Sequence, residues 1–345
     1  MSHTIPFSIV DVFSSTAFKG NPLAVVNDLS STLSTTQMQL ITRQFNLSET
    51  TFINPPTIPN AAFRLRSFLP DGKEVFGAGH NSLGALWWLA KHGHLQDIVA
   101  AVKEGDASTL RFNFSQQMGD DELPVSIMQG ADGELAVTLQ QVPPQYYGIH
   151  NNLASLAQVL GIDKHDIGFE FGGKQIRDAQ VVSTSSSRHL LVPIANVTVL
   201  TSIKLRDRDA LLREIVSVDA LAYGMYLFTP SPLISSTKEG VRSPVFQARF
   251  FSPGMAGEDP ATGSAAGPLA AYLQNEGALS VKQGENREIS VLQGLRVGRA
   301  CLLTVGVERG EKGDGVGGGI NISLSGGGAE VMTGEVVIPG GDVEF

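Results

Sequence analysis

The sequence predicts a mixed α/β (α+β) protein of two similar domains, each a curled, barrel-like and mostly antiparallel sheet around one central helix. Three observations carry this prediction: a length of 345 residues, a motif that occurs once in each half, and two helices that are apolar on almost every face. A chain of this length usually forms two domains. Hydrophobic residues make up 42% of the sequence and charged residues 17%, a balance typical of globular proteins.

The repeated motif joins a strand, a tight turn and an apolar helix. Arg66–Pro70 ("RSFLP") aligns with Arg249–Pro253 ("RFFSP"). After one inserted residue the match continues with Glu74 on Glu258, Gly79 on Gly263, His80 on Ser264 and Gly93 on Gly277. Turn residues, helix start and helix stop all agree, which favours a duplicated domain over a solenoid, whose repeats are shorter and more numerous. A chance match is the alternative.

The two helices of this motif, "NSLGALWWLA" and "SAAGPLAAYL", have almost no polar side. A helix that is apolar all round is buried. We therefore expect each helix inside a curved sheet or barrel. Pro268 is tolerable if the second helix begins near Ser264, because the first turn has no intrahelical donor to lose.

Local patterns predict the other elements. Ser34 followed by Gln37 is a capping-box signal that opens a helix from about Thr35 to Phe45. Its core-facing residues are Met38, Leu40, Ile41 and Phe45. "RDRDALLREIV" predicts a second helix with a charged face, and "ETTFIN", "AAFRLRSFL", "LAYGMYLFT" and "PVFQARFFS" predict strands. "FSIVDVFSSTAFKGNPLAVV" and "AQVVSTSSSRHLLVPIANV" each predict a strand, a turn and a strand.

The predicted domains are residues 1–125, completed by a C-terminal strand near 333–345, and residues 126–332. Polar and turn residues place the linker within Gly119–Gln141. The active site is expected in the cleft between the two domains.

Composition excludes several classes of function. The net charge is -9 and no Lys/Arg-rich run stands out, so no nucleic-acid partner is expected. Cys301 is the only cysteine, which excludes an intrachain disulfide and a thiolate metal cluster. It lies in the strand-like "GRACLLTVGV", where a buried apolar role is expected. Since the sequence shows neither a signal peptide nor a membrane-length apolar run, we expect a cytoplasmic protein without a membrane partner.

Two motifs resemble ligand sites without their context. Gly313–Gly318 satisfies G-x-G-x-x-G, but the strand-like "INISLSGGG" follows where dinucleotide binding needs a helix. His92 and His94 form H-x-H with no further ligand cluster nearby. We expect neither a nucleotide site nor a metal site from them.

The starts of the two apolar helices are candidate anion sites. Gly77–His80 and Ala261–Ser264 place small residues where a helix exposes unpaired N–H groups and a partial positive charge. If they face each other across a cleft, they would hold a small carboxylate from both sides. The alternative is that both are only well-capped helix starts.

The two helix starts carry unlike polar groups, His80 in one and Asp259 with Ser264 in the other. Duplicated scaffolds keep their packing and diverge at the site. Glu49 in "FNLSETTFI" is a further candidate, because it opens a strand where a packing residue would be apolar. Its alternative role is that of a solvent-facing edge residue.

Several of these segments resemble the PhzF-like phenazine-biosynthesis protein family, which belongs with the diaminopimelate epimerase-type folds. The matching stretches are "DVFSSTAFKGNPLAVV", "NLSETTFI", "EVFGAGHNSLGA", "RHLLVPI" and "EDPATGSAAGPLAAYL". The resemblance implies two similar α/β domains, a homodimer and catalysis without a cofactor. It also implies an isomerase, since the best-known member moves a proton on trans-2,3-dihydro-3-hydroxyanthranilate.

The resemblance places the acid/base glutamate at Glu49 and its partner histidine at His80, with Asp259 and Ser264 as further catalytic residues. We expect a small carboxylate substrate, bound by Ser48, Gly79, Asn81, Thr262 and Gly263. Racemases of this fold use one cysteine per half, so Cys301 alone excludes their two-thiol chemistry. The chain departs from the family in "GHNS" and in a glycine-rich insertion around Gly313–Gly319.

Two other functions use the same residues. A lyase or hydratase would use these groups to eliminate water, and only product analysis separates it from an isomerase. A non-catalytic binding protein would keep the cleft without depending on Glu49.

Overall fold

A computed structural model of the chain describes residues 3–345 apart from 78, 97–98, 100–101, 105–108, 237–241, 256, 311–318, 342 and 344. The chain divides into two compact units, unit 1 (Met1–Gln140 and Ser325–Phe345) and unit 2 (Gln141–Leu324). The glycine-rich motif Gly313–Gly318 lies outside the described residues. The domain division predicted at residue 125 stays a prediction, and residue 125 itself lies within a strand.

Strands predominate over helices in both units. The first part of unit 1 contains β1 (Thr4–Val12), β2 (Asn21–Asn27), α1 (Thr35–Phe45), β3 (Thr50–Asn54), β4 (Ala61–Phe68), β5 (Glu74–Val75), α2 (His80–Lys91), β6 (Val102–Glu104), β7 (Thr109–Met118), β8 (Asp121–Gln129) and β9 (Leu135–Gln140). Unit 2 continues with β10 (Gln145–Ile149), α3 (Leu153–Leu160), β11 (Phe169–Phe171), β12 (Lys174–Ile176), β13 (Gln180–Ser183), β14 (Arg188–Pro193), α4 (Val197–Ser202), α5 (Arg208–Val216), β15 (Ala222–Ser236), β16 (Arg242–Phe251), β17 (Glu258–Asp259), α6 (Gly263–Asn275), β18 (Asn286–Gln293), β19 (Cys301–Arg309) and β20 (Ile320–Gly326). The last strand, β21 (Gly328–Val337), belongs to unit 1.

The sheet of unit 1 curls around α2. Strand β1 pairs antiparallel with β2 and β21, β2 pairs parallel with β3, and β3 pairs antiparallel with β4. Strand β4 then pairs parallel with β7, which is antiparallel to β8. Helix α2 packs against β1, β2, β3, β4, β9 and β21, and every residue from Asn81 to Leu89 is buried. The sheet therefore encloses the apolar helix, as its lack of a polar side predicts.

Unit 2 repeats this order of pairings. Strands β13 and β14 are antiparallel, β14 and β15 are parallel, and β15 and β16 are antiparallel. Strand β16 is parallel to β18, which is antiparallel to β19. Helix α6 packs against β13, β14 and β19. A Cβ atom on Gly267 of this helix would collide with the side chains of Gln141 and Thr184, so close packing favours glycine there.

The register of both copies of the motif matches the sequence alignment. Phe68 of β4 lies opposite Glu74 of β5, and Phe251 of β16 lies opposite Glu258 of β17. Both hairpins lead into the enclosed helix of their unit. The one-residue insertion falls in the turn between the paired strands, where it leaves the pairing unchanged.

Helix α1 spans Thr35–Phe45 as predicted. The Ser34 hydroxyl accepts from the Gln37 N–H, and the Gln37 side chain accepts from the Ser34 N–H, which completes the predicted capping box.

By contrast, Pro268 lies in the second turn of α6, because that helix begins at Gly263. The proline therefore removes the N–H that would bond to the Ser264 carbonyl. The segment predicted to hold the linker contains β8 and β9.

The H-x-H pair forms an aromatic stack. The rings of His92 and His94 lie 4.5 Å and 5.3 Å from the Trp88 ring, with interplanar angles of 27° and 24°. In the part of the chain that the structure describes, no group of three or more His, Cys, Asp or Glu side chains is placed to hold a metal ion.

Cys301 is buried in β19. No helix within the described ranges is both long and apolar enough to span a membrane.

Candidate active site

Unit 1 brings Glu49 and His80 together. Glu49 directly precedes β3, and His80 is the first residue of α2, which follows the β4–β5 hairpin. Because β3 pairs with β4, the start of β3 lies beside the turn that leads to α2. Glu49 Oε2 lies 3.1 Å from His80 Nδ1. The two side chains are 19% and 10% exposed, so the pair is largely shielded from solvent.

The α2 start, residues 77–81, is held by the side chain of Asn81. Its Oδ1 accepts from the Gly79 N–H at 2.8 Å, and its Nδ2 donates to the Gly77 carbonyl at 3.0 Å. Asn81 is 1% exposed, so its amide fixes the backbone of the loop. A Cβ atom on Gly79 would meet only Asn81 Oδ1, at 3.7 Å, so the glycine leaves its backbone open to a ligand. Ser48, in the bend before Glu49, is half-buried.

The α6 start, Asp259–Ser264, is organised by a buried glutamine. Gln293 Nε2 donates to the Asp259 carbonyl at 2.8 Å and to Thr262 Oγ1 at 3.0 Å. Its Oε1 accepts from the Thr262 N–H at 3.2 Å and from the Tyr226 hydroxyl at 3.1 Å. Thr262 Oγ1 in turn donates to Asp259 Oδ2 at 2.6 Å. These bonds fix the orientation of the Asp259 carboxylate relative to the helix.

The hydroxyl of Tyr226 stays protonated in this network. Burial, with a contribution from the negative charge of Asp259, raises the pKa of Tyr226 well above its usual value. The phenol therefore acts as a fixed donor to Gln293.

The side chain of Ser264 has a hydrogen-bond partner within unit 2. Its Oγ lies 2.9 Å from Nε2 of His189, which is 1% exposed in β14. Burial lowers the pKa of His189 to about 3, so the ring is neutral at physiological pH. Ser264 itself is half-buried in the first turn of α6.

Of the predicted site residues, unit 1 joins Glu49 with His80 and Gly79 with Asn81, and unit 2 joins Asp259 with Thr262. Their assignments to catalysis and substrate binding stay predictions. Gln293 and His189 were missed. His189 directly precedes the apolar run Leu190–Val192, which is a weak signal in the sequence. Gln293 ends a strand that contains several other polar residues, so nothing in the sequence marked it.

The sequence matches a family model described as phenazine biosynthesis-like protein, PhzC-PhzF, over residues 10–334. An uncharacterized isomerase of Pasteurella multocida is 31% identical over 340 residues, which cover 98% of this chain and 96% of the relative. The trans-2,3-dihydro-3-hydroxyanthranilate isomerase of Pseudomonas chlororaphis is 28% identical over 298 residues, 86% of this chain and 88% of the relative. The prediction of an enzyme of the isomerase class is confirmed at the level of the family.

Solved structures show the same fold. A PhzF-family phenazine biosynthesis protein of Bacillus anthracis superposes with a TM-score of 0.72 at 24% identity, covering 97% of this chain and 100% of that one. A hydroxyproline epimerase from Agrobacterium vitis gives a TM-score of 0.56 at 12% identity, covering 96% of this chain and 91% of that one. The predicted epimerase-like α/β fold is therefore confirmed. Sequence and fold agree that this chain belongs to the PhzC-PhzF family of phenazine biosynthesis-like proteins.

Proposed function

We propose that this protein is an isomerase that moves a proton on a small carboxylate substrate by acid/base catalysis, without a cofactor. The contact between Glu49 and His80 is the observation that carries the proposal. A carboxylate beside an imidazole at a helix N-terminus has the groups that a proton transfer needs. The names of the relatives, which include an isomerase of trans-2,3-dihydro-3-hydroxyanthranilate, support the same reaction class.

In the proposed reaction, the Glu49 carboxylate removes a proton from an activated carbon of the substrate. The electron pair of that C–H bond shifts along the conjugated system. The protonated Glu49 carboxyl exchanges its proton with solvent and returns one proton at another carbon. No atom is gained or lost, so the net change is an isomerisation. His80, 3.1 Å from Glu49, stabilises the charge that shifts during the transfer. Holding the base within reach of its proton accounts for much of the acceleration in such steps.

We assign substrate binding to backbone N–H groups at the two helix starts, at Asn81 in unit 1, because the Gly79 N–H already donates to Asn81 Oδ1, and at Gly263 and Ser264 in unit 2. The first N–H groups of a helix have no intrahelical acceptor and favour an anion. Asp259, oriented by Thr262, is the second acid/base group. That both helix starts serve one substrate is part of the proposal. A homodimer and a cytoplasmic location stay predictions, which sedimentation equilibrium and cell fractionation would test.

The test is solvent-deuterium incorporation, followed by mass spectrometry and proton NMR. The protein is incubated in D2O with cyclic unsaturated amino- and hydroxycarboxylates, beginning with trans-2,3-dihydro-3-hydroxyanthranilate. We expect an isomer of unchanged composition that carries one deuterium at the new C–H position. A product that has lost water would indicate the lyase instead. Normal turnover by the Glu49→Gln variant would rule out Glu49 as the base.

A further inference from the structure

We propose that His189 is a positioning residue that makes Ser264 a hydrogen-bond donor toward the carboxylate of the substrate. The inference rests on the proposed function, because it assigns that carboxylate to the α6 start. It goes further by naming the residue that directs the Ser264 hydroxyl proton toward a hydrogen-bond acceptor of the ligand.

The first step is the place of His189 in the core of unit 2. Its ring packs edge-on against Phe250, with ring centroids 5.1 Å apart at 89°, and lies 6.2 Å from the Tyr223 ring at 71°. The residue is 1% exposed. Its polar contact is with Ser264, where Nε2 lies 2.9 Å from Oγ.

The second step is the position of the ring proton. A neutral imidazole carries one N–H, which is on either Nδ1 or Nε2. Nδ1 of His189 is buried and has no hydrogen-bond partner among the described residues. A buried N–H donor without a partner is rarer and costlier than an under-satisfied acceptor. The proton therefore belongs on Nε2, which donates to Ser264 Oγ.

The third step concerns the proton of Ser264. Since Ser264 Oγ accepts from His189, its own O–H is directed to another acceptor. Ser264 lies in the first turn of α6, where the neighbouring N–H groups are also donors. The first turn of α6 at Ser264 thus presents donors, and a carboxylate oxygen complements them. A ligand that offers an N–H or O–H at this point would face an unpaired donor of the protein.

Nuclear magnetic resonance tests the tautomer without any assay of activity. Long-range proton–nitrogen correlations of the 15N-labelled protein distinguish the two neutral tautomers. The signals of His189 are assigned by their absence from the spectrum of the His189→Phe variant. We expect the Nε2–H form of His189 throughout pH 5.5–8. The Nδ1–H form, or a protonated ring in this range, would overturn the proposal. Because this readout does not depend on turnover, it stands even if the proposed isomerisation proves wrong.

Calorimetric titration tests the consequence for binding. The probes are anthranilate, a carboxylate, and anthranilamide, its neutral amide. We expect anthranilate to bind His189→Phe and Ser264→Ala about 5- to 10-fold more weakly than the wild type, with the double variant no weaker than either. Anthranilamide should bind all four proteins with similar affinity.

Two outcomes of the titration would contradict the coupling. One is wild-type affinity for anthranilate in His189→Phe together with a loss in Ser264→Ala. The other is additive losses in the double variant, since residues that act through one contact lose it only once. His189→Gln, whose amide retains an N–H donor, should recover part of the affinity and serves as a second variant if His189→Phe folds poorly. A ring that acts only by packing would show no such recovery.

Discussion

The α2 start and the α6 start rest on the same scaffold. In unit 1, Arg66 binds both oxygens of Glu74, at 2.8 Å and 2.7 Å. In unit 2, Arg249 binds both oxygens of Glu258. Each pair ties the strand to the turn before the enclosed helix. The ion pair that holds the backbone is thus the same in both units, and the residues next to it differ.

The difference lies in how each unit holds its carboxylate. In unit 1, Glu49 and His80 come from separate elements and make one contact with each other. In unit 2, Asp259 is bonded through its side chain to Thr262 and through its carbonyl to Gln293. A carboxylate in contact with an imidazole is suited to a change of protonation, and a cross-linked network is suited to fixed orientation. The two copies keep the framework and differ where the proposed chemistry takes place.

The largest expected effect comes from the carboxylate of unit 1. Glu49→Gln keeps the size of the side chain but removes the base. Loss of a general base lowers kcat by roughly 10²–10⁴-fold. The melting temperature should change little, because glutamine keeps the size and the hydrogen-bonding capacity of the side chain. Single-turnover kinetics and calorimetric melting give both values.

Glu122→Gln is the matched control, because Glu122 is an exposed carboxylate of the same unit. It should retain the wild-type kcat and melting temperature. If Glu49→Gln failed to fold, the residue would be structural and the contrast between the two helix starts would have to be explained differently.

The second comparison concerns the shared arginines. Arg249 also donates to the carbonyls of Leu200 and Ile203, both at 2.7 Å, and its side chain is 7% exposed against 15% for Arg66. Lysine cannot reproduce these forked contacts. We expect Arg249→Lys to lower the free energy of unfolding by on the order of 3 kcal/mol, because lysine keeps the charge but leaves the buried carbonyls of Leu200 and Ile203 without their donors. Arg66→Lys should cost about 1 kcal/mol, as for a more accessible pair.

Urea unfolding of the two lysine variants measures this difference. Equal losses would show that the carbonyl contacts of Arg249 contribute nothing beyond the ion pair. Because Arg66 Nη1 and Nη2 lie 3.2 Å from Thr35 Oγ1, Thr35→Ala serves as a control for that weaker contact.

The third comparison exchanges residues between the enclosed helices. Leu86 of α2 and Ala270 of α6 occupy the same position in the repeat, and both are 0% exposed. Ala270→Leu adds volume to a closely packed site and should cost about 1–3 kcal/mol. Leu86→Ala leaves a cavity and should cost about 2–5 kcal/mol. Melting curves check both variants.

In the folded fraction, anthranilate should bind Ala270→Leu as it binds the wild type, because Ala270 lies about two turns beyond the α6 start. A wild-type melting temperature for Ala270→Leu would show that the sheet of unit 2 does not fit closely around the small residues of its helix.

The sequence predicted the parts of this comparison that depend on short-range pattern. The capping box at Ser34 fixed α1, the aligned turns fixed both hairpins, and the missing polar side predicted two buried helices. Glu49 was singled out because it is polar where a strand begins, and His80 because it opens a glycine-rich helix. Each of these signals is carried by residues that lie close to one another along the chain.

Contacts between distant segments were not predictable. His189 and Ser264 are 75 residues apart, so no spacing rule brings them together. Gln293 was missed for the same reason, since it joins the end of β18 to the α6 start. The segment 119–141, expected to contain the linker, holds the hairpin of β8 and β9 and ends where unit 2 begins, and the linker stays a prediction. The expectation that the first turn accommodates Pro268 was wrong, since the proline is beyond the first turn whether α6 begins at Gly263 or at Ser264.

The expected effect that is smallest at neutral pH is a dependence of stability on pH that unit 2 contributes through His189. Its pKa is about 3 in the folded protein and 6.5 in the reference state, because burial disfavours the charged ring. The unfolded chain therefore binds one more proton between these values. The stability associated with the neutral ring is complete above pH 6.5 and is lost as the pH falls toward 3. The slope is about 1.4 kcal/mol per pH unit well below pH 6.5.

His189→Phe and His189→Gln both remove this titration. Urea unfolding at several pH values between 4.5 and 7.5 should therefore show each variant gaining stability relative to the wild type as the pH is lowered. Above pH 7 the difference between variant and wild type should be constant, since the ring is neutral in both states. A difference that stays constant down to pH 4.5 would show that His189 is already protonated or solvated in the fold. The α6 start would then lack the neutral ring from which the donor role of Ser264 was inferred.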